Sequence, residues 1–147
     1  MKLLYKLSNN QLLALSIGII YIWFGALKVF PMISPAEGLA TSTISELTFG
    51  FIPQNISIIL LALWEVSAGI LLITGFYRRT AVLVLLLHMV FTFSPLILLP
   101  ELVFEKIPFQ LTLTGQYIFK NLIIIVGLLI LFKNHQLSKN QKRQKNY

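Results

Sequence analysis

Four apolar runs set what this chain can fold into. They cover residues 11–30, 56–76, 80–99 and 112–132. Each is close to the ~20 residues that carry a helix across a bilayer's hydrocarbon core. Backbone groups in lipid must find their partners within the segment, so each run is expected to be a helix. Charged residues make up 12% of the chain, against about 25% in a soluble domain. The expected fold is therefore all-α: an integral membrane four-helix bundle, with residues 1–133 as one four-span domain.

The start, MKLLYKLSNNQ, puts two lysines before an apolar run, as a signal peptide does. The run is too long for one and lacks a small-x-small cleavage site, so it reads as a retained first span. The chain has no cysteine, which leaves no disulfide, thiolate metal site or thiol redox chemistry of its own. No metal-ligand cluster, phosphate loop or catalytic triad is visible. Nor is there an aromatic-interleaved basic patch, so nucleic acid is not expected as a partner.

The formal charge of +7 is unevenly spread, with five of twelve basic residues after Leu131. Lys2 and Lys6 precede the first span, and Arg78 and Arg79 separate the second from the third. The opposite connections hold only Lys106. By the positive-inside rule both termini lie in the cytoplasm. Residues 134–147 are rich in Asn, Gln and Lys and lack an apolar period, which predicts a disordered basic tail near anionic headgroups.

In the first outer loop, Ser34, Pro35, Ala36 and Glu37 read as a capping box with proline at N1. Leu39, Ile44 and Leu47 follow at roughly helical spacing, and Gly50 can end the segment. The spacing predicts a short amphipathic helix on the outer surface. Tyr77, Arg78 and Arg79 are all that joins the second and third spans, which makes them antiparallel neighbours.

Each span carries a polar group among its apolar residues. On the first, Gly18, Tyr21, Gly25 and Lys28 share a face, and the glycines admit a close neighbour. On the second, Ala62, Glu65 and Gly69 share one. On the third, His88 and Thr92 are four apart, and Pro95 breaks the outer end, freeing a carbonyl near Phe91. On the fourth, Gln116 and Lys120 are four apart, with Asn121 adjacent and Gly127 further along as a packing position.

At 1.5 Å per residue, Lys28 lies ~4 Å deep, Lys120 ~12 Å, Glu65 ~15 Å and His88 ~18 Å. An ionised group at midplane costs roughly 2.5–3.5 kcal/mol on insertion scales, so Glu65 needs a partner. Lys120, too deep to reach headgroups comfortably, is the expected one, with Lys28 next. Two cations against one anion suit a bound anion or a polarised carbonyl. Each group also has a plainer reading. Lys28 snorkels outward, Glu65 is a structural ion pair or a protonated carboxyl, and His88 is a hydrogen-bonded core residue.

The stretches FGALKVF, EVSAGILLITGFYRR and KNLIIIVGLL, in that order, resemble the DoxX family of small four-helix bacterial membrane proteins. The resemblance spans roughly residues 11–132. Relatives often carry an arginine early in the first helix, where this chain has Ala14 and Ser16. The resemblance implies an inner-membrane subunit of redox or oxidative-stress systems, some linked to quinone reduction by sulfur compounds and others to antioxidant enzymes. It thereby implies a quinone as cofactor or substrate, redox proteins as partners beside the lipid bilayer, and Lys28, Glu65 and Lys120 around a head-group site. Two other roles fit the residues: a small-solute or proton pathway through Glu65 and His88, and a structural assembly subunit, in either case with room for a homo-oligomer.

Overall fold

The computed structural model describes residues 7–30, 33–34 and 37–144. Helix α1 covers Asn9–Leu27, α2 Glu37–Leu47, α3 Gln54–Thr74 and α4 Arg78–Phe93. Two single turns follow, α5 at Pro95–Leu98 and α6 at Pro100–Val103. A two-stranded hairpin, β1 at Phe104–Lys106 and β2 at Gln110–Leu111, leads into α7 at Leu113–Gln144. Among the described residues four helical stretches are long and apolar enough to cross a membrane: Asn9–Leu27, Gln54–Thr74, Arg78–Leu98 and Leu113–Leu137. The fold is an all-α bundle of four spans, and α2 packs against the start of α3 at one end.

Local sequence sets the helix ends. Ser8 and Gln11 form a reciprocal capping box: the Gln11 N–H donates to Ser8 Oγ and the Ser8 N–H to Gln11 Oε1. That pairing satisfies two of the N–H groups a helix start leaves orphaned. At the other end of α3, Gly75 sits at φ 73° and closes the helix through a bond from its N–H to Leu71 O. Left-handed backbone of this kind suits glycine, which has no Cβ to clash. Tyr77 follows at φ 50°, and α4 begins one residue later. The turn is therefore Gly75–Tyr77, and Arg78 already belongs to α4.

The closest pairing in the bundle is α1 against α3. A Cβ on Gly69 would lie 2.8 Å from the Gly18 carbonyl oxygen, and one on Gly25 would lie 2.9 Å from Glu65 Cβ. Without side chains at these points the two backbones approach closely enough to trap what lies between them. Gly127 of α7 meets Leu13 and Ile17 of α1. Below the α1–α3 crossing, Leu72, Leu85, Leu128 and Leu131 are almost wholly buried and close the centre.

Several expectations need correction. The third span breaks at Ser94, and the Phe91 carbonyl is taken by Ser94, whose hydroxyl donates to it at 2.7 Å. Helix α7 does not stop near Phe132; its backbone is helical to Gln144, through the stretch expected to be disordered. Gln, Lys, Arg and Leu there are good helix formers, and an existing helix extends without a new nucleus. The first-loop helix exists, but Ser34 Oγ makes no hydrogen bond, and the Glu37 N–H donates instead to the Ser34 carbonyl. The expected N1 proline, Pro35, and Ala36 lie outside the described residues, as do Lys2 and Lys6. Helix α2 buries Thr41 and Thr43, with hydroxyls turned onto the backbone at Glu37 O and Leu39 O.

Candidate functional site

Glu65 is buried, 7% exposed, and both its carboxylate oxygens are engaged. Lys28 Nζ lies 2.6 Å from Oε2, and His88 Nε2 lies 3.4 Å from Oε1. Lys28 also donates to the Phe24 carbonyl at 3.3 Å. The Tyr21 ring stands edge-on to His88, with centroids 5.6 Å apart. Tyr21 is buried, and its hydroxyl has no partner. Three spans thus contribute one cation, one anion, one imidazole and one phenol to a single cluster.

The direction of the helices explains who meets whom. Side chains on a helix lean toward its N-terminus. Lys28 closes α1, so its long chain leans back along α1 into the bundle and reaches the Phe24 carbonyl one turn below. Glu65 sits on α3, which runs the other way, so its carboxyl leans up to meet the ammonium. The plain outward snorkelling of Lys28 is overturned: only 6% of the residue is exposed.

The same rule removes Lys120 from the cluster. On α7, antiparallel to α1, its chain leans toward the helix start, and its ammonium lies 5.1 Å from the ring centre of Tyr117. Lys120 is exposed, so it is not the partner of Glu65. Gln116 is exposed as well, and Asn121 is half-buried. The buried face of α7 runs instead through Gly115, Ile118, Leu128 and Leu131. Thr92 does share the His88 face, but its hydroxyl donates to the His88 carbonyl at 3.0 Å and does not join the cluster.

Above Lys28 opens a cavity of about 550 Å³ between α2, the end of α1 and the start of α3. Lys28, Ser34, Glu37, Thr41, Gln54 and Asn55 supply its polar lining, and Val29, Ile58 and Ile59 its apolar wall. Val29 and Ile59 are about half exposed on the flank of the bundle. The Ser34 hydroxyl is buried without a partner. Ser34, Thr41, Gln54 and Asn55 were not legible as site residues, because a hydroxyl or amide in a loop or first turn is ordinary. Tyr21 was placed on the right face by spacing from Lys28, but nothing in the sequence pointed it at His88.

The fold and cluster define a class: a multi-pass membrane protein with an ion-paired polar centre reached from one end. The sequence pattern of the DoxX family matches residues 11–98, well over half of the chain. The chain belongs to the DoxX family. The matched segment contains Lys28, Glu65 and His88, whereas Gln116, Lys120 and Asn121 fall beyond it. No curated protein and no solved structure matches the chain.

Proposed function

We propose that this protein is the membrane subunit of a quinone-linked redox system, with Lys28, Glu65 and His88 as its head-group site. The observation that carries this reading is the cavity of about 550 Å³ that Lys28 helps to line, next to the Lys28–Glu65 pair. Its volume falls within the ~300–1,000 Å³ typical of small-molecule sites. It joins an apolar wall to a few convergent polar groups, as a ring with two carbonyls requires.

The residues fit such a ring. Lys28 and the Ser34 hydroxyl are donors for a carbonyl oxygen, and the buried Ser34 oxygen is unmatched within the protein. Glu65 holds the Lys28 ammonium in place and keeps His88 on its other oxygen. A bound quinone supplies reversible reduction coupled to proton uptake. The chain supplies a lysine beside the cavity as a hydrogen-bond donor, with a carboxylate and an imidazole next to it. Access from lipid along Val29 and Ile59 suits an isoprenoid-tailed molecule. The tightly packed leucines below the cluster favour this reading over a through-going solute pathway.

The chain has no cysteine, and the described residues hold no group of three His, Cys, Asp or Glu placed to bind a metal. On this reading the chain joins redox chemistry through the quinone or through a partner. The unequal placement of Lys and Arg supports an inner-membrane orientation with both termini cytoplasmic, which puts the cavity in the outer leaflet.

The test is quinone content. Protein purified in mild detergent is extracted, and quinones are quantified by mass spectrometry. Retention of about one quinone per chain by the wild type, lost in Lys28→Met, is the expected result. Wild-type protein that neither retains a quinone nor gains thermal stability from a short-chain analogue rules the reading out.

A further inference from the structure

We propose that the opposite end of the bundle binds a phosphate group, carried by an anionic lipid headgroup or free in solution. A second cavity, about 140 Å³, lies there among Asn10, Arg78, Leu131, Asn134 and His135. It brings together the starts of α1 and α4 and the latter half of α7. It shares no residue with the quinone site and does not depend on that reading.

The pocket is built to hold an anion. Arg78 is held against the Gly75 turn: a Cβ on Gly75 would lie 3.0 Å from a terminal guanidinium nitrogen. The Arg78 Nε is buried and has no hydrogen-bond partner. A guanidinium fork matches phosphate oxygens, and charge-assisted bonds of this kind are among the strongest a side chain makes. Asn134 donates to Asn10 Oδ1 at 2.7 Å, which fixes two amides beside the fork. His135 adds a ring nitrogen, and Leu131 forms an apolar floor.

Among the described residues no carboxylate lies there. It has five carboxylate side chains, all glutamates. Glu65 is in the buried cluster, and Glu37, Glu46, Glu101 and Glu105 lie in the connections at the other end. Arg79 flanks the pocket with its guanidinium 5.7 Å from the ring centre of Phe132. Basic pockets between spans at a cytoplasmic face suit phosphodiester headgroups. Its size suits one phosphate rather than a larger ligand.

The experiment measures thermal stability of the full chain in a neutral detergent. The added probes are phosphatidylglycerol, phosphatidylcholine and inorganic phosphate. Phosphatidylglycerol should raise the Tm of the wild type, and phosphatidylcholine should not. In Arg78→Gln and in Asn134→Leu, which fills the pocket with an apolar side chain, the concentration giving half the effect should rise about tenfold or more. In Lys133→Gln, an exposed charge outside the pocket, it should stay put. A response to phosphatidylglycerol alone assigns a lipid headgroup, and an equal response to inorganic phosphate assigns the free ion; both support the site. No wild-type response to either probe overturns it. So does an undiminished response in Asn134→Leu, or a Lys133→Gln response as weakened as that of Arg78→Gln.

Discussion

Replacing Lys28 by Met removes the ammonium 2.6 Å from Glu65 Oε2 and keeps most of the side-chain volume. The stranded carboxylate remains within a site less than a tenth exposed. Breaking a buried pair from one side typically costs ~3–5 kcal/mol. Two features limit the loss. His88 still sits 3.4 Å from the other oxygen. In addition, the carboxyl can take up a proton, which for an ordinary glutamic acid at pH 7 costs about 4 kcal/mol. The expected loss is therefore ~3–4 kcal/mol, or about 10 °C in Tm for a chain of this size. Glu65→Gln should lose a similar amount, because it strands the ammonium. The double variant leaves neither charge unpaired, and should recover about half or more of the summed loss. Lys120→Met is the control: with its ammonium exposed over Tyr117, it should move stability by no more than ~0.5 kcal/mol. Thermal unfolding in detergent, read by loss of monodispersity, measures all four. Strictly additive losses for Lys28 and Glu65, or a Lys120→Met loss as large as that of Lys28→Met, would refute the pairing.

Gly69→Val would press a side chain against the Gly18 carbonyl, 2.8 Å from the position of its Cβ. Overpacking of this kind costs about 1–3 kcal/mol, so Tm should fall by several degrees, whereas Gly38→Ala, with open space around it, should not. Tyr21→Phe removes a buried hydroxyl that has no partner. Such a group costs ~1–3 kcal/mol to bury, so the variant should match or exceed wild-type thermal stability, and a clear loss would mean that the hydroxyl has a partner. A reporter fused after Tyr147 should read cytoplasmic, and a periplasmic signal would reverse the orientation inferred from Arg78, Arg79 and Lys133.

The spans were legible because hydropathy over ~20 residues depends on composition alone, and neighbouring side chains do not alter it. A helix end was legible at Pro95, where one residue dominates, whereas the stop at Gly75 was missed and the turn was placed at Tyr77–Arg79. The hairpin at Phe104–Leu111 was missed because its strands are three and two residues long, too short for an alternating pattern. The extension of α7 was missed because composition alone was used to judge a segment that continues an established helix. Of the site, Lys28, Glu65 and His88 were each found as an ionisable group among apolar residues. Their pairing was not, because depth along the membrane was counted at the Cα. A lysine chain spans about four helical residues' worth of rise, and it leans toward its own helix's N-terminus. Counting to the ammonium moves Lys28 inward and Lys120 outward, which reverses their order as partners for Glu65.

The geometry of Glu65 bears on what the cluster can do. One oxygen faces the ammonium of Lys28, a residue that lines the cavity, and the other faces the His88 imidazole beside Tyr21. A single carboxylate therefore connects the cavity to His88. If an occupant draws a proton or a hydrogen bond from Lys28, the charge on the first oxygen is less compensated, and the hold of the second on His88 strengthens. A purely structural role also accounts for the second partner, since a buried carboxylate needs both oxygens hydrogen-bonded. His88→Phe separates the two cases. It keeps the ring that Tyr21 packs against and leaves the Lys28–Glu65 bond in place, so stability should drop by about 1.5–3 kcal/mol, the worth of one hydrogen bond to a charged group. On the proposed quinone-linked role, and if His88 acts with the cavity, the variant should still retain quinone in detergent but lose the ability to support quinone reduction in membranes. Unchanged activity would reduce His88 to a packing residue and leave Lys28 and Glu65 as the whole of the site.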